Sequence, residues 1–344
     1  MRSTAIRRLW ASVLLPAAVL VMVEAAPALE ITGQVTGFTA GSFTIAELQT
    51  LAPTVGGPTT EILSGDTYTG ISLWSLLGGN PTGTTSNITT VGGGNNPILR
   101  NYIVARGGGK TSLLSVGEID PFFGGTGAPY LIAYQLNGAT LAAPILVVPQ
   151  DLTRTRYVTD LTQLLIGAVP IPPQGPRSVT SQFSLSGVQH PGIYTQQTLN
   201  GLPATTVDNV TFLAGTTPNG PNSFTGVGLW DLLTQAGLLS GLLNSYLLAT
   251  GSDGFQVLFS LAELDPAFGA PPDLAAYGIN GGGPGSLGSN GFVRTVIPGD
   301  LHGGRFVSNI ASFQVGAVPE PTTLLLFVSG IAVLGVCVRT RKGR

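Results

Sequence analysis

The segment that decides the fold occurs twice. Tyr68-Thr69-Gly70-Ile71-Ser72-Leu73-Trp74-Ser75-Leu76-Leu77 returns as Phe224-Thr225-Gly226-Val227-Gly228-Leu229-Trp230-Asp231-Leu232-Leu233. Three more segments repeat in the same order. Ser115-Val116-Gly117-Glu118-Ile119-Asp120-Pro121 is echoed by Ser260-Leu261-Ala262-Glu263-Leu264-Asp265-Pro266. Ala133-Tyr134-Gln135-Leu136-Asn137-Gly138 is echoed by Ala276-Tyr277-Gly278-Ile279-Asn280-Gly281. Val148-Pro149-Gln150-Asp151-Leu152 with Arg156-Tyr157-Val158 is echoed by Ile297-Pro298-Gly299-Asp300-Leu301 with Arg305-Phe306-Val307. The offsets are 156, 145, 143 and 149 residues. Ordered self-similarity of this kind marks a duplicated unit, with loop insertions absorbing the unequal offsets. The copies span 29–168 and 183–316, joined at 169–182 by a stiff, Pro-rich linker.

Within each copy the patterning predicts an α+β unit richer in strand than helix. Ile31, Gly33 and Val35 with Phe38, and Phe183 and Leu185 with Val188, read as opening strands and turns. Phe43 to Leu51 reads as a strand end entering a short helix. In the Leu-Trp-x-Leu-Leu steps, apolar residues at i, i+3 and i+4 define one buried helix face, and the preceding Thr-Gly reads as the turn that feeds it. Tyr246 to Ala249, Gln256 to Phe259 and Ile145 to Val148 read as strands. Trp74 and Trp230 read as core anchors. The two Arg-Tyr/Phe-Val steps read as solvated arginines beside core aromatics, and Asp151 and Asp300 as turn caps. His302, followed by Gly303 and Gly304, reads as a loop histidine.

The chain ends carry a different kind of signal. Arg2, Arg7 and Arg8 precede an apolar run from Leu9 to Val23, and small residues follow at Ala25, Ala26 and Ala28. Positive, apolar and small-residue regions in that order make residues 1–28 an expected signal peptide, with signal peptidase as a partner. The run is short for a membrane span, so the alternative of an uncleaved anchor is the weaker match to length. Arg7-Arg8 offers only the paired arginines of a twin-arginine signal, which leaves the export route open. At 317–344, Val318-Pro319-Glu320-Pro321 leads into an apolar stretch ending at Val338, and Arg339, Arg341, Lys342 and Arg344 close the chain. Motif, apolar stretch and basic end together resemble the PEP-CTERM sorting signal of Gram-negative bacteria. The resemblance implies cutting by an exosortase near the Pro-Glu-Pro and transient membrane anchoring through residues 323–338. A plain C-terminal anchor is the alternative; either way the middle of the chain is expected outside the cytoplasm, in the envelope or beyond it.

Composition narrows the middle further. Between the two tails, eight basic residues face fifteen acidic ones, so this part is negative by seven. Such a surface offers no electrostatic footprint for nucleic acid. The sole cysteine, Cys337, lies in the apolar tail, so no disulfide is expected in the middle. Two histidines, His190 and His302, are too few for a His-rich metal site. Gly107-Gly108-Gly109-Lys110-Thr111 lacks the first glycine of a phosphate loop, since position 104 is Val104.

The ordered segments also resemble the molybdopterin-binding domain of the sulfite oxidase family, in two tandem copies. The carriers are Gly33 to Val35, the Thr-Gly-Val-x-Leu-Trp-x-Leu-Leu step, Asp253 to Pro266, Ala-Tyr-x-x-Asn-Gly, and Pro-Gly-Asp-Leu-x-x-x-Arg-Phe-Val. The second copy matches better. The resemblance implies a cofactor-proximal role for Asp300, His302 and Arg305, and for Asp151 and Arg156 in the first copy, where Thr153 stands in place of His302. The family's chemistry needs a cysteine thiolate as a soft ligand to molybdenum. None lies between Leu29 and Val336. The expected function is therefore an exported binding or structural module with degenerate molybdopterin-type domains. The alternatives are an exported molybdopterin oxidoreductase with a non-cysteine ligand, and a surface matrix protein associated with extracellular polysaccharide. The substrate stays open on all three.

Overall fold

The computed structural model describes residues 27–37, 41–80, 85–92, 94–124, 127–239, 241–269 and 271–318. Residues 1–26 of the expected signal segment lie outside these, as do Pro319, Glu320, Pro321 and the apolar run of the tail. Among the described residues no helix is long and apolar enough to cross a membrane.

The first half runs β1 (Leu29–Gly33), β2 (Ser42–Phe43), α1 (Ile45–Leu51), β3 (Thr59–Leu63), β4 (Asp66–Ser72) and α2 (Leu73–Leu76). It continues through β5 (Asn101–Gly107), β6 (Lys110–Ser115), α3 (Val116–Ile119), β7 (Leu131–Leu136), β8 (Ala139–Val147) and β9 (Leu161–Ala168). The second half runs β10 (Gln182–Ser186), β11 (Gly192–Thr195), α4 (Gln196–Asn200), β12 (Thr205–Ala214), β13 (Thr217–Gly228) and α5 (Leu229–Gln235). It closes with β14 (Ser245–Gly251), β15 (Gln256–Ser260), α6 (Leu261–Leu264), β16 (Leu274–Ile279), β17 (Arg294–Val296) and β18 (Ile310–Ala317). This is a strand-rich α+β architecture of two similar halves.

The halves share one topology, strand for strand. Sheet order β2-β1-β9-β5-β6 is matched by β11-β10-β18-β14-β15, and β3-β4-β7-β8 by β12-β13-β16-β17. In both five-stranded sheets only the pairing of the opening with the closing strand is parallel. Local chemistry sets the connections. Asn137-Gly138 takes φ of 52° and 78°, and Asn280-Gly281 takes 52° and 76°. These left-handed pairs suit Asn and Gly; the first closes the tight β7–β8 hairpin, while the second turns the chain out of β16 into the longer connection to β17. Gly108-Gly109 does the same work between β5 and β6, at φ of 52° and 72°. Its glycines make a hairpin turn.

The Leu-Trp-x-Leu-Leu steps bury their apolar face as predicted, through Leu73, Leu76 and Leu77 and through Leu229, Leu232 and Leu233. The Thr-Gly before them is strand rather than turn. Gly70 and Gly226 sit inside β4 and β13, where a Cβ would lie 2.2 Å from Ile132 O and 2.3 Å from Ala275 O. These glycines let the neighbouring strand approach. Trp74 is buried, with its indole N–H donating to Asn80 O at 2.8 Å, whereas Trp230 is half-buried against the core.

The halves meet along their sheet edges. Val104 and Leu113 of the first pack with Leu248 and Leu258 of the second in a separate apolar cluster. Tyr102 stacks on Tyr246 with ring centroids 6.3 Å apart. Full burial of such side chains is worth about 1.5–3 kcal/mol each. The linker is tied to the second half: Gly175 N–H donates to Asp253 O and Gln174 Nε2 to Gly254 O.

Candidate functional site

At the junction of the halves lies a pair of buried ion clusters. They begin as helix caps. In Ser115-x-x-Glu118 the Glu118 backbone N–H donates to Ser115 Oγ, and the Ser115 N–H donates to Glu118 Oε1. Ser260-x-x-Glu263 builds the same capping box. Such a box satisfies two orphan amides of a helix start. It also pins each glutamate and leaves its second oxygen free.

The arginine of each closing segment takes that oxygen. Arg156 Nη1 donates to Glu118 Oε2 at 2.7 Å, and its Nε donates to Asp151 Oδ2 at 2.8 Å. Arg305 Nη1 donates to Glu263 Oε2 at 2.9 Å, while its Nε and Nη2 donate to the two oxygens of Asp300 at 2.8 and 2.6 Å. Side-chain exposures of these six residues run from 1% to 8%. The planar guanidinium fork suits such bidentate capture. Both arginines sit in short 3-10 turns, Arg154–Arg156 and Gly303–Arg305, rather than at strand starts. They are therefore buried and paired, not solvated, and Asp151 and Asp300 are their counter-ions rather than simple turn caps.

The clusters interlock across the junction. Ser260 Oγ of the second half donates to Glu118 Oε1 of the first at 3.0 Å. Leu152 N–H donates to Phe268 O and Leu301 N–H to Phe123 O, a reciprocal pair. The Arg305 guanidinium lies against Gly124 of the first half, where an added Cβ would stand 2.2 Å from its Nη2. The interface is self-complementary, as between subunits of a two-fold dimer, but within one chain.

One position breaks the symmetry. Tyr130 and Asp273 are equivalent, since their carbonyls accept from Leu73 N–H and Leu229 N–H, both at 2.7 Å. Tyr130 OH donates to Glu118 Oε2 at 2.8 Å and accepts from Arg156 Nη2 at 3.1 Å. Asp273 is shorter, and its buried Oδ1 has no hydrogen-bond partner. Beside it opens a cavity of about 180 Å³, lined from both halves.

The electrostatics follow from burial. Glu263 is pushed up to about 8 by burial and by the charge of Glu118, against the pull of Arg305. Burial drives Asp273 well above the carboxylate range, and raises Asp300 and Asp151. Burial alone would lower Arg305, but the charges of Asp300 and Glu263 outweigh it and raise its affinity for the proton.

The structure thus brings together four of the five sequence-predicted site residues, Asp151, Arg156, Asp300 and Arg305. His302 lies apart. It stacks on Phe122 with centroids 3.6 Å apart, bridges to Leu213, and is lowered in pKa by burial. Sequence reasoning passed over Glu118, Glu263, Tyr130 and Asp273 as site residues. The repeated Ser-x-x-Glu and an alignment of Tyr130 with Asp273 were the signals available.

Comparison with known proteins gives two findings. Residues 317–342 match the model of the PEP-CTERM protein-sorting motif. The chain carries that sorting motif. Of its residues, Ala317 ends β18, and Val318 is buried and donates its N–H to Asn244 O. Among solved structures, the sulfane dehydrogenase SoxCD from Paracoccus pantotrophus is similar at 19% identity and a TM-score of 0.32. That alignment covers 52% of this chain and 49% of the other, so it spans about half of SoxCD's chain. No curated protein sequence matches.

The molybdopterin implied by the family resemblance does not fit this donor set. Both guanidinium charges are already met inside the protein, Arg305 by Asp300 and Glu263 and Arg156 by Asp151 and Glu118, so neither arginine stands as an uncompensated cation for a pterin phosphate. Five acidic side chains face two guanidinium groups, and even with Glu263 and Asp273 favouring their protonated forms the remaining three carboxylates outnumber the two cations, which disfavours an anion. Among the described residues no cluster of metal-ligating side chains is present.

Proposed function

We propose that this protein is exported, processed by an exosortase at its Pro-Glu-Pro segment, and acts in the envelope or outside the cell as a non-catalytic binding module. The sorting motif at 317–342 supports the route. On this reading residues 1–28 are removed by signal peptidase and 323–338 hold the chain in the membrane until it is cut. The two copies, 29–168 and 183–316, are descendants of a cofactor-binding unit whose charged residues have turned inward. One observation carries this: Arg156 and Arg305, the positions that the resemblance assigns to cofactor, are consumed by buried ion pairs. An uncompensated buried charge is expensive, so these arginines are not free to leave their partners for a ligand phosphate.

The test is elemental and pterin analysis of the native protein, purified from its own host, with its intact mass. The expected result is no stoichiometric molybdenum and a mass ending near Pro319-Glu320-Pro321. Stoichiometric molybdenum with a pterin would overturn the non-catalytic reading, and a full-length C-terminus in a host with active exosortase would overturn the processing.

A further inference from the structure

The break in symmetry at Asp273 gives the binding module a place to bind. In the first half, Tyr130 fills the corner between Glu118 and Arg156 and satisfies both. In the second half the equivalent corner, between Glu263 and Arg305, holds only the short Asp273. The volume left by the missing ring is the cavity. Its floor is Asp273, 7% exposed, with Oδ1 turned to no protein partner. Its rim is formed by exposed Pro271, Gly299 and Gln150, so it has a mouth to solvent. About 180 Å³ holds several waters or one small organic molecule.

The chemistry of the walls selects among occupants. Arg305 has its charge met on two sides, since Asp300 accepts from its Nε and Nη2 and Glu263 from its Nη1. Arg156 is likewise engaged by Asp151, Glu118 and Tyr130. An anion would therefore meet an excess of carboxylates and only guanidiniums that already hold counter-ions. The unmet group is an acceptor, and the walls hold three more carboxylates than guanidiniums.

We propose that this cavity binds a small organic cation with a primary ammonium group, its N–H donating to the cavity-facing side of the Asp273 carboxylate. The inference rests on the non-catalytic reading above. The groups facing Asp273 are Arg305, Glu263 and Asp300, and burial outweighs Arg305 to favour its protonated form in the empty site. A bound cation favours the ionised form, so binding releases a proton and tightens as pH rises. An alkylammonium stays charged to about pH 10, so the ligand itself does not titrate in that range.

The experiment is calorimetric titration of the purified protein with methylammonium at pH 6 and pH 9. Tetramethylammonium serves as a control of equal charge without N–H donors. Expected are tighter binding at pH 9 than at pH 6, and no binding of tetramethylammonium. Asp273→Asn should lose at least about tenfold in affinity, the loss of a charge-assisted hydrogen bond. Asp273→Tyr restores the first-half residue, fills the cavity and should abolish binding with the fold kept. Absence of methylammonium binding at both pH values would overturn the proposal. So would unchanged affinity in a folded Asp273→Tyr protein, or equal affinity for tetramethylammonium. Molybdenum in the native protein would instead fail the underlying reading, so the two failures are distinct.

Discussion

Replacing Arg305 with methionine tests the buried clusters most directly. The substitution keeps the aliphatic stem and removes the guanidinium. It leaves Asp300 at 1% and Glu263 at 8% side-chain exposure without their cation. Removing one partner of a buried pair costs about 3–5 kcal/mol, because the other charge stays behind. Here the two carboxylates do not share that cost equally. Glu263, already pushed up to about 8, takes a proton at pH 7 and escapes most of it. Asp300 is raised by burial but held down by Arg305, and it carries the remainder. The expected loss is therefore near the bottom of the range, about 3 kcal/mol at pH 7. Urea unfolding with linear extrapolation measures it, with an unchanged slope showing the same surface exposed. At pH 5 the loss should shrink, since Asp300 too is driven toward its neutral form. A further Asp300→Asn change should recover part of the stability at pH 7. A loss under about 1 kcal/mol, the size of an exposed pair, would refute the burial argument. A loss that grew on acidification would refute its electrostatic sign.

Three other outcomes follow from the same geometry. Glu263 binds a proton in the folded state up to about 8 but in the unfolded state only up to about 4.5, so its contribution to stability is full below 4.5 and is lost as pH rises to about 8; Glu263→Gln should flatten the stability profile across that window in pH-stepped urea melts. Gly124→Ala sets a Cβ 2.2 Å from Arg305 Nη2 and 3.1 Å from Gly117 O, and overpacking of that kind costs about 1–3 kcal/mol by urea melt. A chain ending before the linker exposes Val104, Leu113, Glu118 and Arg156, so the first half made alone should bind a hydrophobic dye and lose the sharp melt of the whole protein.

The repeat was legible because duplication writes topology twice. Each Leu-Trp-x-Leu-Leu helix and each Asn-Gly turn is a local event, fixed by residues a few positions apart. The strand role of Thr69-Gly70 was not legible. Its glycine is set by the approach of Ile132, 62 residues on, and local turn chemistry could not reveal that. The site failed for the same reason. Asp151 and Arg156 lie five residues apart and were noticed together, but Glu118 reaches Arg156 across 38 residues and Ser260 across 142. Only the Ser-x-x-Glu spacing hinted at them, and a capping box explains that spacing without a partner.

The junction also accounts for why the two copies diverged where they did. A symmetric pair of clusters, each closed by a tyrosine, would be satisfied and sealed. Tyr130 closes one of them through two hydrogen bonds. Asp273 opens the other and adds a buried carboxyl whose Oδ1 has no hydrogen-bond partner in the protein. Had stability alone shaped the junction, the second tyrosine would have been the better residue, since it fills volume and pairs its hydroxyl. Asp273→Tyr should therefore raise the midpoint of urea unfolding while it removes methylammonium binding. That opposition is the signature of a residue kept for a ligand, because a residue kept for packing would lose both together. A destabilised Asp273→Tyr protein, with its cavity filled and its fold intact by circular dichroism, would place the aspartate among the structural groups instead.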